Sequence, residues 1–102
     1  MTPETPFLLL RVGAAWALPG LGLLVLPDGP TPYLAACDLH TALAIEVHLP
    51  DGTRRSGSAT VEEVSRPEAT MRSLLLDLDL ELNGGLSVGT TIWLARLAPA
   101  LI

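Results

Sequence analysis

Between Ser73 and Leu82 the chain reads SLLLDLDLEL: Leu74, Leu76, Leu78, Leu80 and Leu82 recur at every second position, with Asp77, Asp79 and Glu81 between them. Side chains two residues apart share one face of an extended chain, so this spacing predicts a strand with leucines toward the core and acids toward water. The same period marks Thr41 to Leu49, where Leu43, Ile45, Val47 and Leu49 are expected inside and Glu46 and His48 outside. It also marks Phe7 to Leu18, with Leu8, Leu10, Val12, Ala14, Trp16 and Leu18 expected on one face and Leu9, Arg11 and Gly13 on the other. Alanine and leucine would suit a helix over Leu8 to Leu18 as well, but Gly13 and the Pro19-Gly20 break favour a strand.

Proline and glycine divide the rest. Pro19-Gly20, with Gly22 just beyond, hinges the first strand to an apolar second one, Leu23 to Leu26, which Pro27-Asp28-Gly29-Pro30 ends. Thr31 to His40 is either an irregular loop or a short strand around Tyr33-Leu34-Ala35. Pro50-Asp51-Gly52-Thr53 predicts a hairpin whose Asp-Gly pair supplies the positive φ angles of a two-residue turn. Arg54 to Val64 is then the returning strand, with Gly57 as a bulge or close-approach point. Arg66 to Arg72 reads as a polar loop, Asn83-Gly84-Gly85 as a turn, and Val88 to Leu94 as a last strand. The apolar tail, Ala95 to Ile102, is expected to dock or to pair with the first strand. About six to seven strands and no helix make the chain all-β, a small closed or partly open antiparallel β-barrel, and closure would remove exposed edges. Residues 1–6 are expected to form a flexible leader and residues 7–102 a single β-barrel domain.

Composition narrows the function. Charged residues are only 17% of the 102, below the usual quarter, so an apolar patch and with it a homo-oligomer or a protein partner is expected. The net charge of -5, the pI near 4.7 and the complete lack of lysine argue against nucleic acid, which needs clustered cations. That amino-acid usage, rich in Ala, Leu, Gly, Pro and Arg, is of a GC-rich and so bacterial kind. The single cysteine, Cys37, reads as a small buried hydrophobe in a reducing, cytoplasmic setting. Leu34-Ala35-Ala36-Cys37 has the outline of a lipoprotein cleavage box, but Asp28 and four turn formers separate it from the apolar run, and the leader carries Glu4 in place of a basic cluster. The uncharged run from Val12 to Pro27 is broken by Pro19-Gly20 and falls short of the roughly twenty residues of a spanning helix, so no membrane association is expected.

No constellation carries chemistry. Asp77, Asp79 and Glu81 would lie about 6.8 Å apart along a strand, which puts the outer two too far apart for one ion, and a solvated outer face is the ordinary reading. Cys37, Asp38 and His40 are too compact for a tetrahedral metal, and His48 has no ligand at metal spacing. No serine stands in a nucleophile turn, and a phosphate loop would need the lysine that is missing. The expectation is thus no enzyme and no cofactor. Trp16, Tyr33 and Trp93 could form an aromatic recognition surface, with core or edge packing as the alternative, and Arg54-Arg55 could grip an acidic partner.

Strand order and punctuation resemble the small β-barrel that follows the GTPase domain in elongation factor Tu and its relatives. Phe7 to Val12, the Ala17-Leu18-Pro19-Gly20-Leu21-Gly22 turn and Leu23 to Leu26 are similar to that family's opening strands, His48 to Val64 to its later hairpin, and Leu86 to Leu94 to its closing Val-Gly strand. The family's Gly-x-Val spacing is missing from Pro30 to Leu39. The resemblance implies a barrel that contacts a GTPase domain and, in some members, tRNA, a role at odds with the acidic balance here. The principal expectation is a non-catalytic barrel that binds a protein partner or itself. The alternatives are an accessory barrel acting on a ribosomal or GTPase partner, and a small-ligand carrier with a pocket at the barrel mouth.

Overall fold

The structure, a computed structural model, describes residues 7–77 and 86–95. Over these residues the alternating stretches form six strands: β1 (Phe7–Leu18), β2 (Gly22–Pro27), β3 (Ala42–His48), β4 (Arg54–Ser65), β5 (Thr70–Leu76) and β6 (Thr91–Leu94). One helical turn, α1 (Pro32–Ala35), lies between β2 and β3. The strands are antiparallel and close into a barrel in the order β1-β2-β5-β4-β3-β6, with β6 paired to both β3 and β1. Among the described residues no helix is long and apolar enough to cross a membrane.

The barrel interior is aliphatic. Val12, Val25, Ile45, Val47, Val61, Leu74, Leu76 and Ile92 are fully buried there, each contributing roughly 1.5–3 kcal/mol of burial against the cost of ordering the chain. The period-two rows expected on β3 and β5 are present over the described residues, with Leu43, Ile45 and Val47 of β3 and Leu74 and Leu76 of β5 all buried in the core. Leu78 to Leu82 and the Asn83-Gly84-Gly85 turn lie outside the described residues.

On β1 the expected row holds for Leu10 and Val12, both buried, and fails on either side of them. Register shifts interrupt its ladder between Leu8 and Leu10 and again between Val12 and Ala14, and each extra residue reverses the phase of the strand beyond it. Leu9 and Leu10 are therefore both buried, Ala15 packs against the core, and Leu8 and Trp16 face water at 41% and 48% exposure. The bulges bend a 12-residue strand so that it can pair with β6 at one end and β2 at the other.

Several turns differ from their sequence reading. Gly52 N–H donates to Leu49 O at 2.9 Å, so Pro50 and Asp51 occupy the turn centre and Gly52 alone takes a positive φ of 92°. This is the three-residue hairpin in which a glycine follows a type I turn; Pro50 favours it because its ring fixes a negative φ at the first central position. Register through Gly57 is unbroken, so no bulge lies there. Arg66 and Ala69 exchange backbone hydrogen bonds of 2.8 and 3.2 Å, which leaves Pro67-Glu68 as the whole loop and makes Thr70–Arg72 part of β5. Thr31 to His40 holds α1 in place of a strand or irregular loop. Pro32 starts that helical turn, and Leu34 drives it onto the barrel end as a fully buried side chain. The last strand begins at Thr91, with Val88-Gly89 in a turn before it. β1 pairs with β6, and Ala95 N–H bonds to Ala44 O on β3; the rest of the tail expected to dock or to pair with the first strand, residues 96–102, lies outside the described set.

Candidate interaction surface

Two rows of outward-facing side chains cross the wall formed by β1, β6, β3 and β4. Register sets Leu8, Trp93, Glu46 and Ser56 side by side in one row, and Arg11, Thr91, His48 and Arg54 in the next. Leu10, Ile92 and Val47, in the row between, are buried, as the pleat requires.

These side chains hold one another. Trp93 Nε1 donates to Thr91 Oγ1 at 2.8 Å, and the His48 ring stacks on the indole with centroids 5.2 Å apart and planes 25° from parallel. A carboxylate only accepts, so His48 Nε2 donates to Glu46 Oε1, at 2.6 Å. Arg54 Nη1 lies 3.9 Å from the same oxygen. His48 and Glu46 are largely shielded, whereas Arg54 is mostly in solvent and adds little stability through that contact. Arg11, also exposed, makes no ion pair among the described residues. The result is an indole held by Thr91 and His48, a shielded acid on the adjacent strand, and two guanidinium-bearing residues at the ends of the neighbouring row.

Of the five residues expected at a partner surface, the structure brings Arg54 and Trp93 together on this wall. Trp16 stands on the β1–β2 hairpin opposite Leu24. Tyr33 belongs to α1, where burial, and then the neighbouring Cys37, pushes its phenol above the ordinary value. Arg55 pairs with Val47 and so alternates to the opposite side of the sheet from Arg54. There it helps to hold the Asp51 carboxyl below the usual carboxylate range, an effect due first to the Thr53 hydrogen bonds.

Sequence reasoning passed over Leu8, Arg11, Glu46, His48 and Thr91. Glu46 and His48 carried a usable signal, since residues two apart on a strand are same-face neighbours. Leu8 carried none, because its outward position results from a bulge. A second histidine–carboxylate contact joins His40, at a φ of 70°, to Glu62, with Nδ1 to Oε2 at 3.2 Å. Thr60 Oγ1 donates to that same oxygen at 2.8 Å. Twenty-two residues separate the pair in sequence, so only the fold reveals it. Among the described residues no three His, Cys, Asp or Glu side chains converge as metal ligands. Comparison of the chain with protein-family models, curated proteins and solved structures found no match.

Proposed function

We propose that this barrel is a non-catalytic interaction module whose β1–β6–β3–β4 wall docks a protein partner presenting carboxylates beside an apolar side chain. The supporting observation is the restrained indole of Trp93 on the same wall as Arg11 and Arg54, which end the neighbouring row. Tryptophan and arginine are the residue types that most often dominate protein interfaces, and an aromatic already held by His48 and Thr91 loses little freedom when a partner covers it. Against a net charge of -5 for the whole chain, two guanidiniums on one wall would steer an acidic surface to that wall and away from others.

Affinity capture from a lysate with wild type, Trp93→Ala and Arg54→Glu, alongside light scattering of each purified chain, tests this reading. The expected result is a species, or a self-association, present with wild type and lost from both variants while their circular dichroism is unchanged. Capture that survives both substitutions, or a wild-type monomer that retains nothing, overturns it. A second copy of the chain, a GTPase or a ribosomal component would each be identified by the same experiment.

A further inference from the structure

The barrel closes around β1 without covering all of it. Phe7 to Arg11 pair with β6 on one edge, and Val12 to Leu18 with β2 on the other. The first ladder ends where Val12 N–H donates to Thr90 O at 2.8 Å and Gly89 N–H to Val12 O at 3.3 Å. Beyond that point, from Ala14 to Leu18, the edge of β1 away from β2 meets no strand among the described residues. Trp16 and Ala17 are exposed along it.

Which backbone groups face this edge follows from the hairpin. Leu18 O accepts from Leu21 N–H at 2.9 Å, so the polar groups of Leu18 point toward β2. Register is unbroken from Leu18 back to Ala14, and successive residues of an antiparallel strand bond to opposite sides. Ala14 and Trp16 therefore also bond toward β2, while Ala15 and Ala17 turn their N–H and C=O to the open edge. Proteins that must stay monomeric guard such edges with charge or proline. No charged residue lies between Val12 and Pro27, and no proline between Phe7 and Leu18.

We propose that two copies of the chain join through this edge as a two-fold antiparallel pair centred on Trp16. In that register Ala15 of each copy exchanges both backbone hydrogen bonds with Ala17 of the other, so all the open groups of both residues are used. Trp16 meets its counterpart at a position without hydrogen bonds, where Cα atoms lie about 4.5 Å apart and an aromatic pair stabilises the contact. Further along, Ala14 faces Leu18, and Val12, which holds Gly89, faces Gly20. The hairpin tip of each copy thus reaches the Val88-Gly89 turn of the other. Leu21 and Val88, the two most exposed large apolar side chains among the described residues, are brought together there. In a chain of net charge -5, no like charges meet across the axis. The edge is separate from the Trp93 wall and does not depend on the docking reading.

Sedimentation and light scattering of the full chain over a concentration series, with amide hydrogen exchange at both ends of it, test the proposal. Wild type is expected to double in mass with concentration, while exchange at Ala15 and Ala17 slows at least about tenfold. Trp16→Glu sets two carboxylates opposite each other, and Ala17→Pro removes a donor that β2 does not use. Each should weaken the dimer at least about tenfold with circular dichroism unchanged, and Trp93→Ala should leave it intact. A wild-type chain still monomeric at about 1 mM overturns the proposal. So does a dimer whose Ala15 and Ala17 amides exchange as in the monomer, one that persists equally in both β1 variants, or one lost in Trp93→Ala. Protection of both amides without a change in mass would give the edge to another segment of the same chain, and overturns it too. The wild-type measurements need no variant to fold.

Discussion

Gly22 offers the sharpest test of how the barrel closes at the β1–β2 hairpin. A Cβ built there would lie 2.0 Å from the backbone oxygen of Leu76, and the residue sits at a φ of 139°. Carbon–oxygen contacts in sheets settle near 3.3 Å, so alanine would have to displace the Leu76 carbonyl by ~1.3 Å. Leu76 is paired to both Leu23 and Ala59, and the displacement would disturb the ladder at the point where β2, β5 and β4 meet. One broken ladder bond, at ~1 kcal/mol, and a side chain in a region L residues avoid, at ~1–3 kcal/mol, give a loss of roughly 2–4 kcal/mol. Domains of this size have only about 5–15 kcal/mol to lose, and the thermal midpoint should fall by roughly 10–25 °C.

Two other glycines separate the contributions. Gly20, at a φ of 79° in the turn closed by Leu21 N–H to Leu18 O, has open space around its missing side chain, so Gly20→Ala bears the dihedral penalty alone. Gly29 has open space and no positive φ, so Gly29→Ala should be neutral or slightly stabilising. Urea unfolding followed by far-ultraviolet circular dichroism should rank the stabilities Gly29→Ala, Gly20→Ala, Gly22→Ala, from highest to lowest, at a common slope. A Gly22→Ala chain as stable as Gly20→Ala would refute the close approach to Leu76.

Other consequences can be measured separately. Leu9→Asn should unfold the chain or cost several kcal/mol, whereas Leu8→Asn should change stability by less than about 0.5 kcal/mol; similar losses in the two would remove the β1 bulge. Leu34→Ala should cost ~2–5 kcal/mol by opening a cavity at the barrel end, and a negligible loss would mean that α1 does not plug the core. In a Trp16→Phe background, His48→Ala should shift Trp93 fluorescence to longer wavelength as the indole loses its stacked neighbour, and an unchanged spectrum would contradict the stack. Asp51 has a folded-state pKa below its unfolded one, so its contribution is present above the unfolded value and is lost as pH falls through the folded value. The stability gap between wild type and Asp51→Asn should therefore be widest near neutral pH and close in acid; a gap constant with pH would contradict the Thr53 hydrogen bonds as its cause.

The strands that pair in simple ladders were legible in the sequence. Leu43, Ile45 and Val47 on β3 and Leu74 and Leu76 on β5 alternate without interruption, so period two alone gives both strand and face. β1 was legible as a strand but only in part in its faces, because a bulge is a relation between two strands and Leu8 to Ala14 name only one of them. Pro32 to Ala35 was illegible for another reason: four residues are too few for a helical period, and what stabilises the turn is the burial of Leu34 against distant strands. The interaction wall shows the same division. Trp93 and Arg54 stood out as residue types, while their neighbours Leu8 and Arg11 arrive from the opposite end of the described chain through β6.

The position of β6 bears on how the protein is made. This four-residue strand fills the gap between β1 and β3, and its pairing brings Phe7 to Leu94. During synthesis the earlier segments emerge while that slot is still empty, so the flanks of β1 and β3 offer unpaired amides and carbonyls until the final stave arrives. Such late, long-range closure slows folding and leaves a window for mispairing with other nascent chains. Substitutions at Thr91 to Leu94 should accordingly lower soluble yield in cells by more than their effect on the finished barrel would suggest.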